Sequence, residues 1–423
     1  MSVKRSNRSA ALRILHEKGA MSRKRLAENM HLTPAAITKI VGEMIADGLL
    51  MEGEMLSSSN AGRREILIDL NAEVACGLGI LINLRQAILS GVWLDGRVIF
   101  TEEVPLESRA PAEATAERLS ARLLQLMEEN GIRRESVVGL GVAVRGITSE
   151  DGRVVRNSFG ALAETDYPLC EKFEELTGFH TVMENNVRSL FAAQMFVSQD
   201  ETTGSQLFIR CGYGIGAALS IDGKIWHGVT AQCAEIGHIP VIRRGGKPCH
   251  CGKSGCLETI ASPGSIREDA IAMLSEEKTP LLWRKYRDRD TESLSVFDVF
   301  AAASNGDQGA SEIVDRAIQA LGTAIKAAIY LVDPGKIVLY GSLFEDSYYL
   351  SRLISELQEG VDARHDVVIE KSKFNQQLED LRPACLRFRT LLTTEEYANG
   401  YHVGNASEKE SGPAALQRHR SGV

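Results

Sequence analysis

The segment His238-Ile-Pro-Val-Ile-Arg-Arg-Gly-Gly-Lys-Pro-Cys249-His-Cys251-Gly-Lys-Ser-Gly-Cys256-Leu-Glu258 constrains the fold more than any other stretch of the chain. It sets three thiols and two imidazoles, His238 and His250, within nineteen residues. Thiolate and imidazole are donors that zinc prefers, and four of them close a tetrahedral coordination sphere. Gly252 and Gly255 let the backbone turn tightly enough for Cys251 and Cys256 to face one ion. His238, Cys249, Cys251 and Cys256 are therefore expected to hold one structural zinc per chain. A closed sphere leaves no position for water, so such a metal shapes the protein and does not catalyse. The competing reading is a disulfide pair or four unrelated residues.

At 423 residues the chain is long enough for two or three domains, and its 44% hydrophobic and 25% charged residues are those of an ordinary soluble protein. Cys76, Cys170, Cys211, Cys233 and Cys385 lie singly among apolar residues, as reduced core thiols of a cytoplasmic protein do. No apolar run follows the basic residues at the N-terminus, which argues against a secretory signal. No uninterrupted apolar segment reaches the roughly 18 residues of a membrane span. The net charge of -8 is unevenly spread: residues 1–70 carry 11 Lys/Arg against 8 Asp/Glu, and the remainder 37 against 48. A basic head on an acidic body suits a polyanion-binding module joined to something else.

Residues 1–70 read as a winged helix-turn-helix domain. A helical pattern over 8–18 stops at Gly19, and Ser22 can cap a second helix from Arg23 to Met30. Thr33-Pro34 is a start signal for a third: a capping hydroxyl, then proline where no N–H is needed. In that helix, Pro34 to about Ala46, the residues Ile37, Ile40, Val41, Met44 and Ile45 form one apolar stripe. The opposite face presents Ala35, Ala36, Thr38, Lys39 and Gly42. Small residues there permit close approach to a major groove, with Thr38 and Lys39 in reach of base edges or phosphate. Two strands, Leu49–Glu52 and Arg64–Leu70, flank a Ser-rich tip as a wing, with Arg63 and Arg64 placed for phosphate or a minor groove. The partner expected for this head is double-stranded operator DNA. The alternative use is a helical hairpin for protein contacts.

From Val74 onward, strand and helix patterns alternate, which implies an α/β protein with covered sheets. Strands are expected at Gly77–Asn83, Gln86–Trp93, Val137–Val144, within Gln206–Gly223 and at Lys336–Tyr340, and helices at Pro111–Glu129 and Ile313–Val332. Residues 278–292 read as a charged insertion, a solvated loop and helix, ahead of a helix at Val296–Ser304. The polar tail 404–423 reads as disordered.

Over about residues 8–403 the chain resembles the ROK family of repressors and sugar kinases, in particular its transcription-factor branch. Glu235-Ile-Gly-His238 and the Cys-x-Cys-Gly-x-x-Gly-Cys-x-Glu run of 249–258 carry the likeness, supported by Val182-Met-Glu-Asn-Asn186, Gly214-Ile-Gly216 and Gly62-Arg-Arg64. The resemblance implies an actin-like (ribonuclease H-like) two-lobed ATPase fold over 71–403, with a sugar cleft between the lobes and zinc beside it. Family kinases carry an Asp base after Glu-Asn, and this chain has Asn186 there. A carboxamide cannot take a hydroxyl proton. Gly77-Leu-Gly-Ile-Leu-Ile-Asn83 lacks the acid and hydroxyl of the family's nucleotide loop, Tyr213 replaces a Thr in Gly212-Tyr-Gly-Ile-Gly216, and Tyr340-Gly-Ser342 replaces a triple glycine. These departures point away from an enzyme. Sugar-contacting positions match better: Glu235, His238 and Glu258, with Asn157, Asn185 and Asn186 able to bind hydroxyls. Ala234 stands where the family has Gly. Arg145 stands where it has Pro, either to meet a phosphorylated ligand or to pair with a carboxylate.

Together these readings give a cytoplasmic, sugar-responsive regulator, a repressor acting as a homodimer or homotetramer, released from operator DNA by a sugar or sugar phosphate. The alternatives are a residual sugar kinase that also binds DNA, and a regulator controlled by a partner protein.

Overall fold

The computed structural model describes residues 3–56, 65–197, 204–360, 365–372 and 377–393. The head has three helices, Val3–Lys18, Arg23–Met30 and Pro34–Ala46, and a three-stranded sheet. Local chemistry sets its turns. Ser22 Oγ accepts from Arg25 N at the start of the second helix, and Thr33 Oγ1 accepts from Ala36 N at the start of the third. His31 ends the second helix in the left-handed conformation (φ 53°). Leu12, Leu15, Leu26, Ile37, Val41, Met44 and Ile68 are all buried beneath this turn. The first helix begins at Val3, five residues before the expected start. The wing strands are Leu50–Leu56 and Glu65–Leu70, paired antiparallel. The wing tip, with Arg63 and Arg64, lies outside the described residues, as does the tail 404–423.

The body is a duplicated design. In the first lobe, Val98–Pro105, Gln86–Trp93, Cys76–Ile82, Val137–Val144 and Thr181–Asn185 lie side by side in that order. The first three form an antiparallel meander and the last two join in parallel. The second lobe repeats the order with Lys224–Trp226, Ile215–Ile221, Ser205–Cys211, Lys336–Tyr340 and Val368–Lys371. A parallel step needs a crossover, and helices such as Ala112–Glu129 and Gln308–Val332 supply it. Val137–Val144 is buried along its whole length, as a strand covered on both faces must be.

What covers the first sheet on one side is the helix Gln377–Thr393, which the sequence reading did not place. It carries Pro383 in its interior, which masks it as a helix. Its approach explains the strand glycines. A Cβ on Gly77 would lie 2.5 Å from the Ala384 carbonyl oxygen, one on Gly79 2.5 Å from Ala384 N, and one on Gly141 1.7 Å from the Pro383 oxygen. These glycines make room for a helix backbone.

The insertion 278–292 is partly a core element. Its helix Pro280–Tyr286 buries Leu282 and Tyr286, four residues apart on one face, while Pro280, Arg284 and Lys285 meet solvent. The Tyr286 hydroxyl donates to Asp298 Oδ2 at 2.7 Å.

One ion pair is expected to stabilise the first lobe. Burial acts to raise the Glu174 carboxyl, but Arg153 at 2.6 Å, Thr181 N at 2.8 Å and His180 outweigh it and hold the pKa at about 2. The folded value lies below the unfolded one, so its stabilisation is present above about pH 4.3 and is lost as pH falls toward 2. Glu174→Gln is expected to cost about 2 kcal/mol at pH 7, discounted for partial exposure. Chemical denaturation at several pH values should show the gap from the parent closing between pH 4.5 and 2.

Candidate functional site: a metal knuckle facing the first lobe

The four expected ligands converge. His238 closes a short 3-10 turn, Ile236–His238, after the second sheet, and Glu258 opens the helix Glu258–Ala261 just beyond the knuckle. Between them the chain doubles back: Val241 N and Ile242 N donate to the Gly255 carbonyl, and Cys249 N donates to Lys253 O. Gly252 and Gly255 take φ of 86° and 74°, as the sequence required. The donor atoms of His238, Cys249, Cys251 and Cys256 all lie within 4.8 Å of one another, a group able to hold a metal ion. His238 Nδ1 is 3.5 Å from Cys249 Sγ, and the sulfurs of Cys251 and Cys256 are 3.6 Å apart. Desolvation holds the Cys249 and Cys256 thiols above the ordinary range.

Against the knuckle stand the polar residues expected to hold a sugar. Glu258 Oε1 is 3.6 Å from His238 Nδ1 and 2.9 Å from His250 Nδ1. Its other oxygen would be 2.7 Å from a Cβ on Gly214, so the Gly212–Gly216 loop sits directly on it. Tyr213 at the tip of that loop is 97% exposed. Glu235 is exposed, 4.0 Å from His238 Nε2. Ala234 takes φ of 65°, a conformation that glycine adopts freely and alanine tolerates at a cost of about 1 kcal/mol.

The first lobe contributes the rest. Asn185 ends the strand Thr181–Asn185, and Asn186 begins the helix Asn186–Val197. Asn185 is committed to architecture: its Nδ2 donates to Gly146 O at 2.6 Å and its Oδ1 accepts from Val187 N at 2.8 Å. The side-chain amide of Asn186 makes no hydrogen bond among the described residues. Gly146 lies so close to Asn157 that a Cβ would be 2.0 Å from its carbonyl oxygen. Asn157 is exposed, and its Oδ1 accepts from Phe159 N at 2.8 Å. The Phe159 ring meets the His250 ring edge-on at 5.6 Å. Asn185, Gly146, Asn157, Phe159, His250 and Glu258 thus form one chain of contacts from the first lobe to the knuckle.

Phe159 and His250 were not foreseen. His250 is the unspecified residue between two ligands, and Phe159 (φ 49°) shows its role only once the lobes are placed. Glu184 was also missed, although it lies in the quoted Val182–Asn186 run. This buried carboxylate meets Arg188 Nε at 2.6 Å and His227 Nε2 at 2.5 Å, and so ties the first sheet to the loop after the second. Burial acts to raise its pKa, but His227 and Arg188 outweigh it and keep the carboxyl ionised.

On the head, Ala35, Thr38 and Lys39 are exposed and Ala36 half-exposed on the face opposite the buried stripe. The Thr38 hydroxyl donates back to Pro34 O at 2.8 Å, which leaves Lys39 as the extended polar group of that face. Arg145 has no carboxylate partner among the described residues.

A winged helix-turn-helix head thus stands ahead of two lobes of matching strand order. Residues 92–379 match the ROK family and residues 6–52 the MarR family, and the chain belongs to the ROK family. It is 28% identical over 346 residues to the N-acetylglucosamine repressor of Escherichia coli O6:H1 (strain CFT073), covering 81% of this chain and 82% of that one. Among solved structures it is similar to a ROK family transcriptional regulator homologous to the E. coli Mlc protein, with TM-score 0.75, 23% identity and coverage of 92% and 97%. It is also similar in fold to the ROK hexokinase of Thermus thermophilus, with TM-score 0.58, 22% identity and coverage of 74% and 97%. The two-lobed kinase fold is thus that of the body, and the winged helix that of the head.

Proposed function

We propose that this chain is a cytoplasmic, sugar-responsive DNA-binding repressor, with a DNA-reading head at 1–70 and an effector-binding body at 71–403. Two things support the reading: a MarR-type head is joined to a ROK body, and the resemblance sets Asn186 at the position where family kinases carry their Asp base. An amide there still accepts and donates hydrogen bonds to a hydroxyl but cannot remove its proton. Glu235, His238 and Glu258 would supply acceptors from the second lobe, and Asn157 and Asn186 would meet hydroxyls from the first, with Asn185 holding the helix start in place. The wild-type chain is therefore expected to bind a sugar and not phosphorylate it. A coupled ATP turnover assay should give no sugar-dependent rate, and kinase-like turnover would overturn the reading.

The knuckle would hold a structural zinc. A tetrahedral site with Zn–S of about 2.3 Å and Zn–N of about 2.0 Å has S–S edges near 3.8 Å and N–S edges near 3.5 Å. The donor spacings of 3.6 and 3.5 Å match these edges. Zinc would be held by His238, Cys249, Cys251 and Cys256. It would keep His238 oriented, one ring nitrogen on the metal and the other free for a hydroxyl.

Operator DNA is the partner of the head, bound as a palindrome by a dimer or a dimer of dimers. Ala35 and Ala36 permit approach, and Lys39 contacts phosphate. Lys39→Ala is expected to weaken duplex binding about equally across sequences and to reduce the log–log salt slope by about 1. Fluorescence anisotropy from low to high salt measures both.

The effector is a phosphorylated sugar, a reading supported by Arg145, which has no carboxylate partner among the described residues beside Gly146. Calorimetry against glucose, xylose, N-acetylglucosamine and the hexose 6-phosphates should favour a phosphate ester. Arg145→Met should remove about tenfold of that preference. Equal affinity for ester and free sugar in the parent would refute the phosphate assignment alone.

A further inference from the structure

The helix Asn186–Val197 has one end in the candidate sugar site and the other against the DNA-binding head. Its 12 residues span about 18 Å at 1.5 Å per residue. At the first end, Asn185 ties the helix start to Gly146 and Val187. At the far end, the Phe196 carbonyl accepts a hydrogen bond from His16 Nε2 at 2.7 Å. The His16 and Phe196 rings stack at 4.4 Å. His16 lies in the last turn of the head's first helix.

We infer that this helix is the rigid link through which cleft occupancy reaches the reading head, with His16 and Phe196 as its output contact. The inference rests on the regulator reading above.

Three observations support rigid transmission. Leu190, Phe191, Ala192, Ala193, Met195 and Phe196 are all buried, so the helix is packed on every side. A close-packed element shifts as a body between discrete arrangements and does not bend gradually. The C-terminal helix Gln377–Thr393 holds it at both ends, since Arg382 Nη1 donates to Asn186 O at 3.2 Å and the Phe388 ring stacks on Phe196 at 5.5 Å. The head's own core is continuous with this junction, Leu12 and Leu15 lying in one cluster with Phe196, Ala384 and Phe388. A carbonyl oxygen can only accept, so the hydrogen on His16 Nε2 is directed at Phe196.

The test is a double-mutant cycle on the full chain, read as affinity for a duplex that the parent selects from a random pool. Asn185→Ala frees the helix start, and His16→Phe keeps the ring stack but removes the donor. Sites this far apart add within about twofold when independent. The expected result is that Asn185→Ala shifts duplex Kd at least fivefold in the parent and less than twofold in the His16→Phe background. His16→Gln, which keeps a donor, should restore part of the response. Equal shifts in both backgrounds would overturn the link and leave the regulator reading standing. Failure of the parent to select any duplex would overturn both. If thermal unfolding shows that Asn185→Ala does not fold, Asn185→Asp replaces it, since it keeps the acceptor for Val187 N and loses the donor to Gly146 O.

Discussion

Cys256→Ser is expected to release the metal from the knuckle and lower the melting temperature by roughly 10 °C, on the order of 3–5 kcal/mol. The parent should carry one zinc per chain by elemental analysis, and the variant less than a tenth of that. The size of the effect follows from what holds the knuckle without metal. Its turns use glycines at positive φ, its backbone cross-links are the bonds donated by Val241, Ile242, Cys249, Gly252, Gly255 and Leu257, and Cys256 is fully buried. Desolvated thiols must lose protons to bind, so metal affinity should fall as pH falls. Cys170→Ser, at a buried thiol of the first lobe, should leave the metal content unchanged. Full zinc in the Cys256→Ser chain would contradict the ligand assignment.

Gly141→Val is expected to be the most damaging single substitution in the first lobe. A Cβ there would stand 1.7 Å from the Pro383 carbonyl oxygen, and a helix backbone cannot yield as a flexible side chain does. The strand cannot withdraw either, because Gly141 pairs with Gly79 on one side and Val182 on the other. The helix Gln377–Thr393 must lift from the sheet and expose Ala384, Cys385 and Phe388, all fully buried. The expected cost is about 4 kcal/mol or more. Limited proteolysis should cut the C-terminal helix first, and the head should loosen with it because Phe388 supports Phe196. Gly264→Ala is the control: its Cβ would meet nothing within 4 Å, and it should be neutral or mildly stabilising.

The elements legible in the sequence were those specified by local chemistry. Thr33-Pro34 started the third head helix at the residue expected, and Gly252 and Gly255 turned the knuckle as their positions demanded. The strand Val137–Val144 announced itself by an unbroken apolar run. What the sequence hid depends on contacts between distant segments. Gly77 and Gly79 read only as early glycines of an apolar strand, and their structural reason is a helix some 300 residues later in the chain, disguised by Pro383. Leu282 and Tyr286 were masked by the charges around them. Phe159 and His250 carry no motif of their own, and only the placement of the two lobes brings their rings together. Asn185 matched a sugar-contacting position, but both ends of its amide are already engaged by Gly146 and Val187. Asn186, whose side chain is free of hydrogen bonds among the described residues, is the better placed of the two to meet a hydroxyl.

A body that binds sugar without turning it over can act only through differential affinity for two arrangements of the lobes. A near-complete switch requires the effector to favour the released form by about 5.5 kcal/mol. The decisive measurement is the equilibrium affinity of the full chain for a duplex selected by that chain, titrated with each sugar and hexose 6-phosphate of the panel and with ATP absent. The account predicts that at least one of them raises the duplex Kd tenfold or more at saturation. A duplex Kd unmoved by every compound, including any that calorimetry shows to be bound, would contradict it.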